Sequence, residues 1–562
     1  MKPTDLQWQL GLATRDVESA IRNAVSQRVI SRLWARDFTI WSPSPVEISN
    51  RLGWLGTAQA MRVEVPRLED FAQTMRCEFT HFVLIGMGGS SLAPELFARV
   101  FGPRNGYPGC SIADTTDPDA IAALTERLDL AHTLFVVSTK SGGTVETLSL
   151  FKHFHNRVAD LLGDEVAGSQ FVAITDPGSS LVELAASQRF TATFLADPNI
   201  GGRYSALSHF GMVPAALLGV DLRTILGSAI AAGELCRHDG VANPATRLGV
   251  ALGTLALAGR DKLTFVVSEK LASFGDWCEQ LIAESTGKQG KGIVPIVGER
   301  LGGPDEYGDD RVFVELRLIG DTSSDAALSR LAKAGHPVIR IDVNELSDVA
   351  GQFILWETAT AIAGWCLGIN PFDQPNVESA KVRAREAVSA YQKSGRLDIG
   401  SPSADDGTIA VYDTAPSSSV EAALAAFLSK VRPHDYVGLQ AYIPPSAEHD
   451  QLLAQWRRQL GTRHHVATTV GYGPRFLHST GQLHKGDGGH GVFIQVTSDP
   501  VHDLPIPDRA GSAESSMSFG VLKMAQALGD LAALNDAGRR AIRLHLKGPL
   551  DAGLRKLISL TG

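Results

Sequence analysis

Cysteine is scarce in this chain, with five residues in 562 (Cys77, Cys110, Cys236, Cys278 and Cys366). No two stand at C-x-x-C spacing, so neither a disulfide framework nor a zinc site is expected, and no metal is assigned. Basic charge is also in deficit. Lys plus Arg number 52 against 61 Asp plus Glu, and the net charge of −9 argues against a nucleic-acid partner. No apolar run approaches the roughly 18 residues that span a bilayer, and the amino terminus lacks a basic segment leading into an apolar core. A reduced, cytoplasmic setting without membrane partners is the expectation. What remains is ordinary globular composition, 44% hydrophobic and 20% charged. The length exceeds a single core, so about three or four units of domain size are expected.

The most informative stretch is Val136 to Thr147, Val-Val-Ser-Thr-Lys-Ser-Gly-Gly-Thr-Val-Glu-Thr. An apolar strand runs into a hydroxyl-rich, glycine-containing loop that opens a helix. Glycines let the backbone approach an anion, Thr139, Ser141 and Thr144 offer hydroxyls, and the helix start adds free N–H groups. Such a loop cradles the phosphate of a phosphorylated metabolite. An ordinary capped strand-to-helix turn uses the same residue types.

Residues 1–75 read as amphipathic helices. From His81 the pattern becomes strand, glycine-rich turn, helix, with strands beginning near 81, 134 and 171. That alternation predicts a parallel, doubly wound α/β layout with ligands at the carboxyl ends of the strands. The expected units are 76–245, carrying the cradle, and 246–392, followed by a linker or excursion at 393–430 and an α/β unit at 431–562. This last unit echoes the second one. Strands at Val312 and Pro337, each followed by a helix, find counterparts at Tyr436 and Gly491, which suggests a duplication. Unrelated α/β segments would alternate in the same way.

Gly86-Met-Gly-Gly-Ser-Ser ends the first strand, but a dinucleotide fingerprint needs glycine where Ser91 stands. The turn can still present Gly89 and Ser90 to an anion. Ser285-Thr-Gly-Lys-Gln-Gly-Lys-Gly likewise lacks the glycine spacing of a Walker loop. Gln280 and Glu284 are four apart and share a face if the segment is helical. Glu284 is then a candidate general base, and Arg203, in Gly201-Gly-Arg-Tyr-Ser, a candidate oxyanion partner. A solvated helix carboxylate and a surface-turn arginine are the plain alternatives.

Five motifs in order, Gly86-Met-Gly-Gly-Ser, Ser138-Thr-Lys-Ser-Gly-Gly-Thr-Val-Glu-Thr, Gly201-Gly-Arg-Tyr-Ser, Glu279-Gln-Leu-Ile-Ala-Glu-Ser-Thr-Gly-Lys and Asn370-Pro-Phe-Asp-Gln-Pro-Asn-Val-Glu-Ser-Ala-Lys, resemble those of glucose-6-phosphate isomerases. The tail with Phe476-Leu-His-Ser-Thr-Gly-Gln-Leu-His-Lys is similar to the isomerase half of bifunctional transaldolase/phosphoglucose isomerases. The stretch ahead of the first motif is too short for the other half, a barrel of typically about 250 residues. The resemblance implies a sugar-isomerase fold and a cofactor-free isomerase of glucose 6-phosphate and fructose 6-phosphate, monomeric or homodimeric. It implies that Ser90, Thr139, Ser141 and Thr144 bind the phosphate, with Lys140 adding charge and Gln374 a hydrogen bond. Glu284 would move the proton through a cis-enediolate, Arg203 would stabilise it, and Gln280 would orient the sugar. Lys381 and a histidine would open the ring.

That histidine departs from the family pattern. Between Glu284 and Lys381 only His336 occurs, followed by Pro337. His484, in His-Lys-Gly-Asp-Gly-Gly, is the expected acid, with His478 as runner-up and a purely structural loop role for both as the plain alternative. Mannose 6-phosphate as a second substrate and a non-catalytic sugar-phosphate sensor are the other readings. A sensor would have no need of Glu284, Arg203 and Lys381.

Overall fold

Strands that are buried along nearly their whole length need cover on both faces, and helices supply it here. The computed structural model describes residues 6–562. Its first strand, β1 (Leu6–Gln9), lies in the segment expected to be helical and joins the edge of a sheet formed much later in the chain. The register of an edge strand is set by its distant partner, here Ile341 opposite Leu6, which explains why the local pattern did not announce it.

The first sheet contains β2 (His81–Gly86), β3 (Gly109–Ala113), β4 (Thr133–Ser138), β5 (Phe171–Thr175) and β6 (Ala192–Leu195), all parallel, in the order β3-β2-β4-β5-β6. The second contains β7 (Lys262–Val267), β8 (Val294–Ile296), β9 (Arg311–Leu318) and β10 (Val338–Val343) in the order β10-β9-β7-β8, with β1 antiparallel beside β10. The third comprises β11 (Ala404–Asp405), β12 (Ile409–Tyr412), β13 (Tyr436–Tyr442), β14 (Ala467–Tyr472), β15 (Gly491–Ser498) and, after the short ribbon β16 (Pro505–Ile506) and β17 (Met517–Ser518), β18 (Arg540–Leu546). Its order is β11-β12-β18-β15-β13-β14, with β12 antiparallel to β18.

All three sheets therefore share one plan, in which the first strand has the second on one side and the third, then the fourth, on the other. The second and third sheets match even in the antiparallel strand at the fourth strand's edge. The matching strands are β7 with β13, β8 with β14, β9 with β15 and β10 with β18. The echo read in the sequence, Val312 with Tyr436 and Pro337 with Gly491, is displaced from this. Alternation repeats at every strand, so it carries no mark of which strand comes first; hydrogen-bond partners decide that.

The shared plan reverses direction between the first and third strands, and a crevice opens there at their carboxyl ends. In the first sheet these are β2 and β4, paired from His81 with Thr133 to Gly86 with Ser138. The two loops singled out as anion binders leave the sheet side by side at this point. The third unit covers this region. Ile506, Phe519 and Leu522 join the apolar cluster on one face of the first sheet, and Lys523 pairs with Asp117 at 2.8 Å in the interior. Among the described residues no helix is long and apolar enough to cross a membrane.

Candidate active site

β4 ends at Ser138, and the loop through Thr144 caps the Val145–Leu162 helix. The Thr139 and Thr144 hydroxyls meet at 2.8 Å, and Ser141 Oγ accepts the Gly143 N–H at 3.2 Å. This arrangement holds three hydroxyls at a helix start, where anions are favoured. The opposite lip is the Gly88–Ser90 turn after β2, to whose Ser90 carbonyl Ser138 Oγ donates at 3.3 Å. A Cβ at Gly89 would stand 2.0 Å from the Gly202 carbonyl, so only glycine lets this turn rest on the Gly202–Tyr204 turn bearing Arg203. Lys140 points elsewhere. Its ammonium pairs with Asp176 and donates to the Pro198 carbonyl at 3.1 Å, which keeps it off the cavity wall.

Gln280 and Glu284 do share a face of the Ser273–Thr286 helix, and Gln280 Nε2 donates to Glu284 Oε2 at 3.1 Å. Arg203, 2% exposed, reaches Glu284 Oε1 at 3.2 Å. It is held there by Ser285 Oγ at 2.8 Å, Gln374 Oε1 at 3.0 Å and the carbonyls of Pro371 at 2.7 Å and Asp373 at 3.1 Å. Gln374 thus accepts from the arginine and fixes its plane. Lys288 carries no signal in the sequence beyond a Gly-Lys pair without Walker spacing, yet it stands beside Arg203 and Asp373. Its buried ammonium pairs with Asp373 at 2.8 Å. Burial, then Arg203, lowers its pKa to about 8, although Asp373 opposes the shift.

Glu279, one residue before Gln280, is pushed up to about 8 by burial and by Asp276, against the pull of Arg457 and Arg475. Its folded-state pKa is raised, so between the ordinary carboxylate value and about 8 the native protein holds the extra proton and stability falls as pH rises. Glu279→Gln removes that titration. Its stability margin over the wild type should grow through this window by on the order of a few kcal/mol, read from urea unfolding at a series of pH values. A margin independent of pH would refute the assignment.

A cavity of about 420 Å³ opens beside the cradle, lined by Ser141, Thr144, Glu146, Lys381, His478 and Lys485 among others. His478 Nε2 meets Glu146 Oε1 at 2.9 Å, and Gln526 Nε2 donates to the same oxygen at 2.7 Å. Gln526 is oriented in turn by Thr116, which donates to its Oε1 at 2.8 Å. Burial alone would lift the Glu146 carboxyl, but His478 and, more weakly, Lys381 outweigh it and leave the pKa below the usual carboxylate value. The His478 carbonyl accepts from Gln280 Nε2 at 2.8 Å, so one amide nitrogen serves both this segment and Glu284. A wider cleft of about 1020 Å³ between the second and third sheets contains none of these groups.

The structure does not bring His484 to the cavity. The short Gly481–Gly486 helix turns its ring into the third unit, against Phe493 at 4.7 Å and Phe476 at 5.8 Å between centroids, with Nδ1 3.3 Å from Gln440 Nε2. Burial, then the cations of Lys485 and Arg539, holds its pKa well below the ordinary histidine value. His336 lies just before β10 in the second unit, beside Phe313 and Tyr307, and does not line the cavity. His478, the runner-up, is the histidine in the cavity. Glu146 stood inside the cradle stretch, and its carboxylate beside a helix start was the available signal; Gln526 had none.

Parallel α/β sheets flanked by helices, with a hydroxyl-lined loop at the crevice of the first sheet, give the chain a sugar-isomerase fold. A family model described as phosphoglucose isomerase matches residues 65–294. The glucose-6-phosphate isomerase of Rubrobacter xylanophilus is 30% identical over 350 residues, covering 54% of this chain and 81% of the relative. That of Synechococcus elongatus is 29% identical over 448 residues, covering 69% and 82%. Among solved structures, a hypothetical protein from Thermus thermophilus aligns with TM-score 0.57 at 25% identity, over 68% of this chain and 99% of that one. The Chlamydia trachomatis glucose-6-phosphate isomerase aligns with TM-score 0.58 at 20% identity, over 69% and 89%, a likeness of fold. The chain belongs to the glucose-6-phosphate isomerase family and is an aldose–ketose isomerase.

Proposed function

We propose that this enzyme interconverts glucose 6-phosphate and fructose 6-phosphate by proton transfer through a cis-enediolate. The phosphate rests on Ser90, Thr139, Ser141 and Thr144. The ionised Glu146 accepts from His478 Nε2, which leaves Nδ1 to exchange a proton with the sugar. In ring opening the C1–O5 bond breaks, a proton leaves the anomeric hydroxyl and one reaches O5, with His478 and Lys381 as the groups at hand. Glu284 then takes the C2 proton, the electron pair forms the C1–C2 double bond, and O1 carries the charge that Arg203 stabilises. O1 then takes up the proton that the C2 hydroxyl loses, and Glu284 returns the first proton to C1 as the C2 carbonyl forms, which yields the ketose. The hydrogen moves as a proton throughout, so the scheme calls for no redox cofactor.

The observation that carries this reading is the shared Gln280 nitrogen, which ties Glu284 to the segment bearing His478. A coupled assay of the purified chain with fructose 6-phosphate tests it. Turnover is expected, and its absence would remove the proposal. The phosphate keeps its charge during the reaction, so Ser141→Ala with Thr144→Ala should raise KM more than it lowers kcat. Unchanged KM with a collapsed kcat would argue against the cradle.

A further inference from the structure

We propose that Arg475 is the positioning residue that sets His478 against the substrate, by clamping the third unit's turn onto two carboxylates of the first unit. This rests on the reading of His478 as the ring-opening group.

Arg475–His478 form one 3-10 turn, so the guanidinium and the imidazole move together. Arg475 Nη1 stands 3.0 Å from Asp114 Oδ2, and Nη2 pairs with Glu95. Both carboxylates belong to the first unit, Glu95 on the Leu92–Phe101 helix and Asp114 just beyond β3. Each has a further partner within the first unit. Ser91 Oγ lies 3.1 Å from Asp114 Oδ2, and Arg99 donates to Glu95 Oε1 at 2.9 Å. They are 7% and 8% exposed, so the pairing is not a loose surface bridge of the kind that contributes little. Burial opposes the charge on Arg475, but Asp114 and Glu95, and then Asp276, hold it firmly protonated.

The far end of the same turn is anchored at the chemistry. There His478 meets Glu146 at 2.9 Å and its carbonyl meets Gln280 at 2.8 Å. Between the anchors the turn lies directly on the first unit, since a Cβ at Gly88 would fall 2.6 Å from the His478 carbonyl, and Gly88 holds φ +56°. Without the cation, Glu95 and Asp114 face each other's charge in the interior, and the turn loses the contact that sets its height above the cradle. A displacement of about 1 Å in a catalytic group costs on the order of 100-fold in rate.

Arg475→Met, which keeps the stem and removes the charge, should lower kcat for fructose 6-phosphate by about 10- to 100-fold. KM should stay within about threefold, because the cradle lies wholly in the first unit. A merely structural arginine would lower the melting temperature and leave kcat of the folded fraction intact. The decisive measurement is the double variant with His478→Ala. If Arg475 acts through His478, the double variant is no slower than His478→Ala alone; a further loss equal to that of Arg475→Met in the wild-type background overturns the proposal, as does a wild-type kcat for Arg475→Met. Asp114→Asn keeps the shape and weakens the clamp, so it carries the same cycle should Arg475→Met not fold. A His478→Ala enzyme that turns over at the wild-type rate would instead overturn the ring-opening assignment, and this role with it.

Discussion

Glu284→Gln should reduce isomerisation of fructose 6-phosphate by on the order of 10² to 10⁴ while sugar-phosphate binding stays close to wild type. The amide keeps the volume of the carboxylate but cannot accept the proton from C1 of the ketose or, in the reverse direction, from C2 of the aldose. The site around it should hold its shape, because Arg203 retains Ser285, Gln374 and the carbonyls of Pro371 and Asp373 as partners once Glu284 no longer pairs with it. Isotope exchange separates this loss from a binding defect. In deuterated water the wild type should place deuterium at C2, and the variant should do so at a rate reduced as far as its turnover. Exchange at the wild-type rate in the variant would remove Glu284 from the role.

His478→Ala should slow turnover of the ring-closed substrate by about 10² to 10⁴, the usual range for a lost general acid–base group. His484→Ala should act on stability instead, by about 2 to 5 kcal/mol, as expected for emptying a packed aromatic site. The reverse ranking in kcat would restore His484 as the acid. Every group named in the mechanism comes from one chain, because the third unit carries His478 to Glu146 and Gln280 directly. Covalent linkage replaces association between separate molecules with a fixed local concentration. Specific activity should therefore not fall as the protein is diluted, and a loss that follows the break-up of a dimer would show that a second chain completes the site.

What the sequence by itself determined is what lies within a few residues along the chain. The cradle from Thr139 to Thr144 is one strand end, one loop and one helix start, so its hydroxyls are placed by local geometry. Gln280 and Glu284 meet because four residues make about one helical turn. The parallel layout follows from strands and helices taken in alternation. Tertiary structure decided the rest. Lys140 lies within the cradle stretch in sequence, yet the Asp176 carboxylate draws its ammonium aside. β1 is a strand because β10 offers an edge more than three hundred residues away. His478 and His484 stand six residues apart between β14 and β15, one ending a 3-10 turn and the other on the short helix that follows, and nothing in the local sequence marks which of them faces the cavity. The side chains of Phe476 and Phe493 enclose His484, while Glu146, on the helix after β4, meets His478 at the cavity, so the difference between them belongs to packing between units that local sequence does not encode.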